Sequence, residues 1–208
     1  MNNQTLHTIQ TAYGWNDVLL FQLSSGLINK TFKATVGSRS YVLQQINTDV
    51  FKRPDWIDEN LSMLASHIAE KAPGYLFTAP VKTKEGLGLV QTGDTYYRVF
   101  DWVASSHTIA VVENTGQAFE AASQFGHFTS LLKRFDAGRL HITLPGFHNL
   151  GLRYRQLEKA LQHGNANRIE ETGDAITSLQ SHIHNEQNAN DFIQTPEPKP
   201  RRKEHKTK

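Results

Sequence analysis

The residues with the clearest chemical potential lie at 24–32, Ser-Ser-Gly-Leu-Ile-Asn-Lys-Thr-Phe. Small residues around Gly26 leave backbone N–H groups able to turn toward an anion such as a phosphate, although a single Gly between two strands also serves as an ordinary turn. Candidates for acid–base chemistry are fewer. His163-Gly164-Asn165 starts with a His-Gly pair but carries Asn where an acid is needed. His184-Asn185-Glu186, with Asp191 five residues after Glu186, offers two carboxylates. The absence of Cys removes thiol catalysis, Cys-ligated zinc and disulfides, and fits a reducing compartment.

These residues must be held by something, and the hydrophobic pattern says what. Residues 18–23 and 30–36 (KTFKATV) read as strands, and 41–43 follow a Gly37-Ser38 turn. Pro54 suits a first helical turn, with Asp55, Asp58 and Glu59 near its positive end, and Ile57, Leu61, Leu64 and Ile68 lay one apolar stripe along the helix. Residues 88–91 and 95–102 flank Thr92-Gly93-Asp94 as a hairpin. The expected order is three strands, a helix, then two strands. After Val103 the pattern becomes helical: 117–134 carries Phe119, Ala122, Phe125, Phe128 and Leu132, with Asn114 or Thr115 as cap. Helices at 153–163 and 167–184 follow a loop at 136–150.

The 208 residues carry 22 Lys+Arg against 20 Asp+Glu, a net +2, but the charge is unevenly placed. Residues 197–208 hold six Lys/Arg and two Glu, so the tail is +4 and the remainder −2. With its prolines and no apolar side chains, that tail cannot repay the entropy of folding. Residues 1–10 lack the pattern of a secretory signal, and no run of about 18 apolar residues occurs to span a membrane. A cytoplasmic protein with no membrane partner is expected, and a nucleic-acid role for the tail is not.

The phrases GLINKTFKA and YVLQQINTDVFKRPDWIDEN, followed by RVFDWV and PGFHNL, resemble the aminoglycoside-phosphotransferase superfamily, most closely its N-acetylhexosamine kinase branch. The likeness runs over residues 15–184. It implies an α+β, protein-kinase-like fold: a five-stranded antiparallel N-lobe with one helix over 1–103, a partial helical C-lobe over 104–184, and a disordered tail over 185–208. It also implies transfer of the γ-phosphate of ATP, with magnesium, to a hydroxyl of a small molecule such as an amino sugar. By position, Gly26, Leu27, Ile28, Asn29 and Lys30 would cover the phosphates. The third-strand basic residue of such enzymes falls at Gln44 or Gln45, which can donate a hydrogen bond but brings no charge. Its helical partner would be Glu59, which also reads as an ordinary first-turn acid. Phe100, Asp101, Trp102 and Val103 would form the hinge that reads adenine through backbone groups, or simply a strand end in the core. His148 and Asn149 could meet a sugar hydroxyl.

Phosphoryl transfer of this type also needs an Asp at the acceptor hydroxyl, an Asn about five residues later on magnesium, and a second metal-binding Asp. None is identifiable, so no catalytic or metal-binding residue is assigned. Family likeness, hydrophobic periodicity and charge balance all change at Asn185. The expectation is therefore a fragment ending before the catalytic loop, with little or no transferase activity. The alternatives are a non-catalytic nucleotide-binding or interaction module with a basic tail, and an active kinase using Glu186 and Asp191.

Overall fold

A computed structural model describes residues 1–23, 26 and 28–181. The chain forms two compact units, Met1–Leu144 and Pro145–Lys208. The first is built on five antiparallel strands, β1 (Leu19–Leu23), β2 (Lys30–Val36), β3 (Arg39–Ile46), β4 (Val90–Thr92) and β5 (Thr95–Asp101), in the order β1-β2-β3-β5-β4. Two-residue loops fix the register, because Val36 pairs with Arg39 and Thr92 with Thr95. Gly37 and Gly93 hold φ of 56° and 58° in those loops, a left-handed backbone that a β-carbon resists. Strand β3 is longer than the expected 41–43 because it is paired on both sides, to β2 and, from Tyr41 to Ile46, to β5.

Period-two alternation then sorts the side chains onto two faces. Phe32, Ala34, Leu43, Tyr97 and Val99 make one face, and it is the core. Thr31, Val42, Gln44, Arg98 and Phe100 make the other.

The core face is closed by α1 (Asn3–Tyr13), an element that the sequence reading did not place before the first strand. Its stripe of Leu6, Ile9 and Tyr13 is narrow, and polar residues around it mask the period. The ends are better marked. Asn2 Oδ1 accepts the Thr5 N–H at 2.8 Å, and Gly14, at φ 71°, lets the Gly14 and Trp15 amides bond back to the carbonyls of Thr11 and Gln10. Ile9 is fully buried against the sheet, and Tyr13, Trp15 and Tyr41 follow as a chain of rings with centroids 5.2 Å apart.

The other face meets α2 (Pro54–Lys71), whose Pro54 start, first-turn Asp55 and last-turn Lys71 suit the helix dipole. The anticipated stripe turns inward and leaves Ile68 1% exposed. On its outer side Asn60 forms a two-point clamp with the backbone of His141. Its Nδ2 donates to the His141 carbonyl and its Oδ1 accepts the His141 N–H, each at 2.9 Å, while the His141 ring stacks on Trp56 at 4.9 Å.

Helix α3 (Thr115–Leu131) is capped by Asn114, whose Oδ1 accepts the Gln117 N–H at 2.9 Å. Its apolar stripe is only partly used. Phe128 stacks over Tyr75 and Phe77, whereas Phe119 and Phe125 are 70% and 74% exposed. The second unit holds α4 (Leu150–His163), α5 (Ala166–Glu171) and α6 (Gly173–Ser181). The single helix expected at 167–184 is broken at Thr172-Gly173. Gly is a poor helix former, and the Thr172 hydroxyl bonds back to the Arg168 carbonyl at 2.6 Å. Asn165 of the His163-Gly164-Asn165 triplet caps α5, its Oδ1 accepting the Arg168 N–H at 3.1 Å. His184, Glu186, Asp191 and the basic tail lie outside the described residues. No helix among the described residues is long and apolar enough to cross a membrane.

Candidate functional site

The face of the sheet opposite α1 is not sealed. Between it, α2 and the segment after β5 lies a cleft of about 690 Å³, a size that suits a small ligand. Val42 and Gln44 of β3, Arg98 and Phe100 of β5, and Ile57 and Leu61 of α2 form its walls. Asp101, Trp102, Val103, Ser106 and Thr108 form its rim, and Leu23 closes the β1 side.

The polar centre of this cleft is a pair across two strands. Gln44 and Arg98 stand opposite each other in the β3–β5 ladder. Gln44 Oε1 accepts from Arg98 Nε at 2.9 Å and from Arg98 Nη2 at 2.7 Å, while Gln44 Nε2 donates to Thr31 Oγ1 at 3.3 Å. The guanidinium also lies 5.0 Å from the Phe100 ring centroid. Burial draws the Arg98 guanidinium below its ordinary value, and the Asp58 carboxylate of α2 works in the opposite direction. It remains a cation, because arginine does not lose its proton in proteins.

Asp58 itself sits between charges. Its Oδ2 is 3.7 Å from Lys82 Nζ, and its Oδ1 is buried without a hydrogen-bond partner among the described residues. Gly88 makes this fit possible, since a β-carbon there would overlap the carboxylate. Burial and then the Asp58 charge push the Tyr13 phenol above its ordinary range.

The rim is held from two sides. The Lys33 ammonium lies 4.5 Å from the Trp102 ring centroid, and the Ser106 hydroxyl donates to the Val103 carbonyl at 2.7 Å. Ser105 between them has φ 57°, the one non-glycine residue in the left-handed region among those described.

Of the residues singled out from sequence, Gln44, Phe100, Asp101 and Val103 line this cleft together. Ile28 and Lys30 instead line a separate hollow of about 280 Å³ with Gln45 and Asn47. Gly26 is required where it stands, because a β-carbon would collide with the Asn29 carbonyl, and Asn29 Oδ1 accepts the Asn47 N–H at 2.9 Å, tying the loop to the end of β3. Leu27 lies outside the described residues. Glu59 points elsewhere: its Oε2 meets His141 Nε2 at 2.6 Å on an exposed surface. The α2 acid whose charge acts on Arg98 is its neighbour Asp58. His148 and Asn149 belong to the second unit. Asn149 Oδ1 caps α4 by accepting the Leu152 N–H at 2.8 Å, and His148 packs edge-on to Phe147 at 4.8 Å. Among the described residues no group of three or more His, Asp or Glu is placed to hold a metal ion.

Sequence reasoning gave Arg98 no role in a site and read Asp58 only as an acid near the start of the helix. The signal for Arg98 was present: it is the one charge inside the otherwise aromatic and apolar run from Tyr96 to Phe100.

A five-stranded antiparallel sheet with its one inserted helix over the cleft face, followed by helices, is the α+β protein-kinase-like fold. A solved structure with this fold is spectinomycin phosphotransferase in complex with ADP and spectinomycin, which matches at TM-score 0.56 and 12% identity over 94% of this chain and 60% of that one. A microcompartment-associated aminopropanol kinase also matches, at TM-score 0.40 and 19% identity over 50% of this chain and 33% of that one. The chain thus spans about 60% and about a third of the lengths of these two proteins. No family model matches the sequence.

Proposed function

We propose that the cleft beneath the sheet takes an adenine nucleotide, and that the chain is the nucleotide-side part of an ATP-dependent phosphotransferase acting on a hydroxyl of a small molecule, of the amino-sugar class. One observation carries this reading: an open cleft of about 690 Å³ on the α2 face of a kinase-like sheet, apolar at Val42, Ile57, Leu61 and Phe100 and cationic at its centre. Apolar walls suit a flat heteroaromatic base, and a cation among them suits the phosphates that follow it. On this reading the backbone from Phe100 to Val103 contacts the base, and the loop from Gly26 to Lys30 covers the phosphate side. Glu59 is then a surface residue, and His148 is the second unit's own candidate for meeting an acceptor hydroxyl, Asn149 being committed to the α4 cap. Magnesium enters as the companion of ATP; no described residue is assigned to it.

The test is calorimetric titration of the full chain with Mg-ATP, ADP and adenosine, beside a γ-phosphate transfer assay on a panel of amino sugars. Saturable one-to-one binding of ADP is the expected result. Absence of any nucleotide binding at millimolar concentration defeats the reading, and binding without transfer to any hydroxyl compound restricts it to the nucleotide.

A further inference from the structure

Arg98 is an expensive residue to place where it stands. It lines the cleft, it is partly buried, and among the described residues no carboxylate lies within ion-pair distance of it. A guanidinium carries five N–H donors. Two of them are used, both on the single oxygen of Gln44, and no other acceptor among the described residues engages the rest. Three donors, including those on the outer Nη edge, are therefore open, and that fork geometry matches two oxygens of a phosphate. Stacking at Phe100 and the two bonds to Gln44 fix the plane of the group before any ligand arrives. A partly buried cation with fixed geometry and spare donors is arranged for an anion.

Resting on the nucleotide reading above, we infer that Arg98 is the cation that contacts the α- and β-phosphates, reaching from β5 into the space where the β3 side chain, Gln44, is uncharged. Gln44 is its positioning residue. The neutral side chain on β3 and the charge on β5 are then one arrangement: the amide oxygen orients a cation delivered from the neighbouring strand. Asp58, on α2, supplies the opposing charge at longer range.

The experiment compares ADP with adenosine, since only ADP carries the phosphates. In Arg98→Met, ADP affinity is expected to fall about 10- to 100-fold while adenosine affinity stays within about twofold. In the double variant Gln44→Lys with Arg98→Met, which returns the charge to β3, most of the ADP affinity is expected to come back. In the wild-type protein, the Arg98 Nε–Hε resonance is expected to shift with ADP and not with adenosine. That measurement decides the matter even if Arg98→Met fails to fold. An unmoved resonance, or an ADP-to-adenosine ratio unchanged in Arg98→Met, overturns the assignment and leaves the nucleotide reading standing. A wild-type protein that binds neither ligand overturns the nucleotide reading and this inference with it.

Discussion

The two faces of one sheet are made by the same strands, yet they solve opposite problems. On the α1 face Ala34, Leu43 and Val99 are fully buried and Ile9 packs onto them. On the α2 face the same strands present Val42, Gln44, Arg98 and Phe100 to an open cleft. Leu43 of β3 and Val99 of β5 thus each have neighbours one position away that line the cleft. Substitutions one residue apart should separate stability from binding.

The largest break in that comparison should come from Leu43→Ala. Removing a fully buried Leu from the α1 face should cost about 2–5 kcal/mol in urea unfolding, whereas whatever fraction stays folded should keep its ratio of ADP to adenosine affinity. The next effect is alkaline. Tyr13, through burial and then Asp58, and Tyr97, through burial, both have phenols raised above the ordinary value of 10.0. A raised value means that the folded state holds the proton more tightly than the unfolded chain. The stability so gained is complete below about pH 10 and is lost as pH rises past it. Tyr13→Phe should remove roughly 1 kcal/mol of the stability lost per pH unit in that range. A denaturation series at rising pH that shows the same slope in both proteins would contradict the assignment.

On the cleft face Arg98→Met should change unfolding free energy by less than about 1 kcal/mol, because a partly exposed charge with no ion-pair partner at close range stabilises the fold little. A loss as large as that of Leu43→Ala would mean that the α2 face is core after all. The smallest effect belongs to the rim. Ser105→Gly should stabilise the protein by about 0.5 kcal/mol, since Gly accepts the left-handed backbone that Ser strains to adopt.

What the sequence disclosed followed from local periodicity. KTFKATV announced β2, the stripe from Ile57 to Ile68 announced α2, and Gly37 and Gly93 announced their turns. The places where it misled all depend on geometry beyond the local pattern. Helix α1 has only Thr5 and Ile9 buried, too little apolar signal to read until the sheet face that it covers is known. Glu59 and Asp58 differ by one position, but one residue is about 100° around a helix, enough to send Glu59 to His141 and leave Asp58 between Lys82 and the cleft. Arg98 acquires meaning only through the β3–β5 register that sets it opposite Gln44. Asn149 caps α4, a role that is invisible until the start of that helix is known.

The clamp between Asn60 and His141 gives α2 a remote reporter. The His141 amide proton is held by a side chain 81 residues away in sequence, so it can exchange with solvent only when that bond opens. The exchange rate at His141 therefore reads how often its contact with α2 opens, and a ligand that steadies α2 against the sheet should slow it without touching His141 at all.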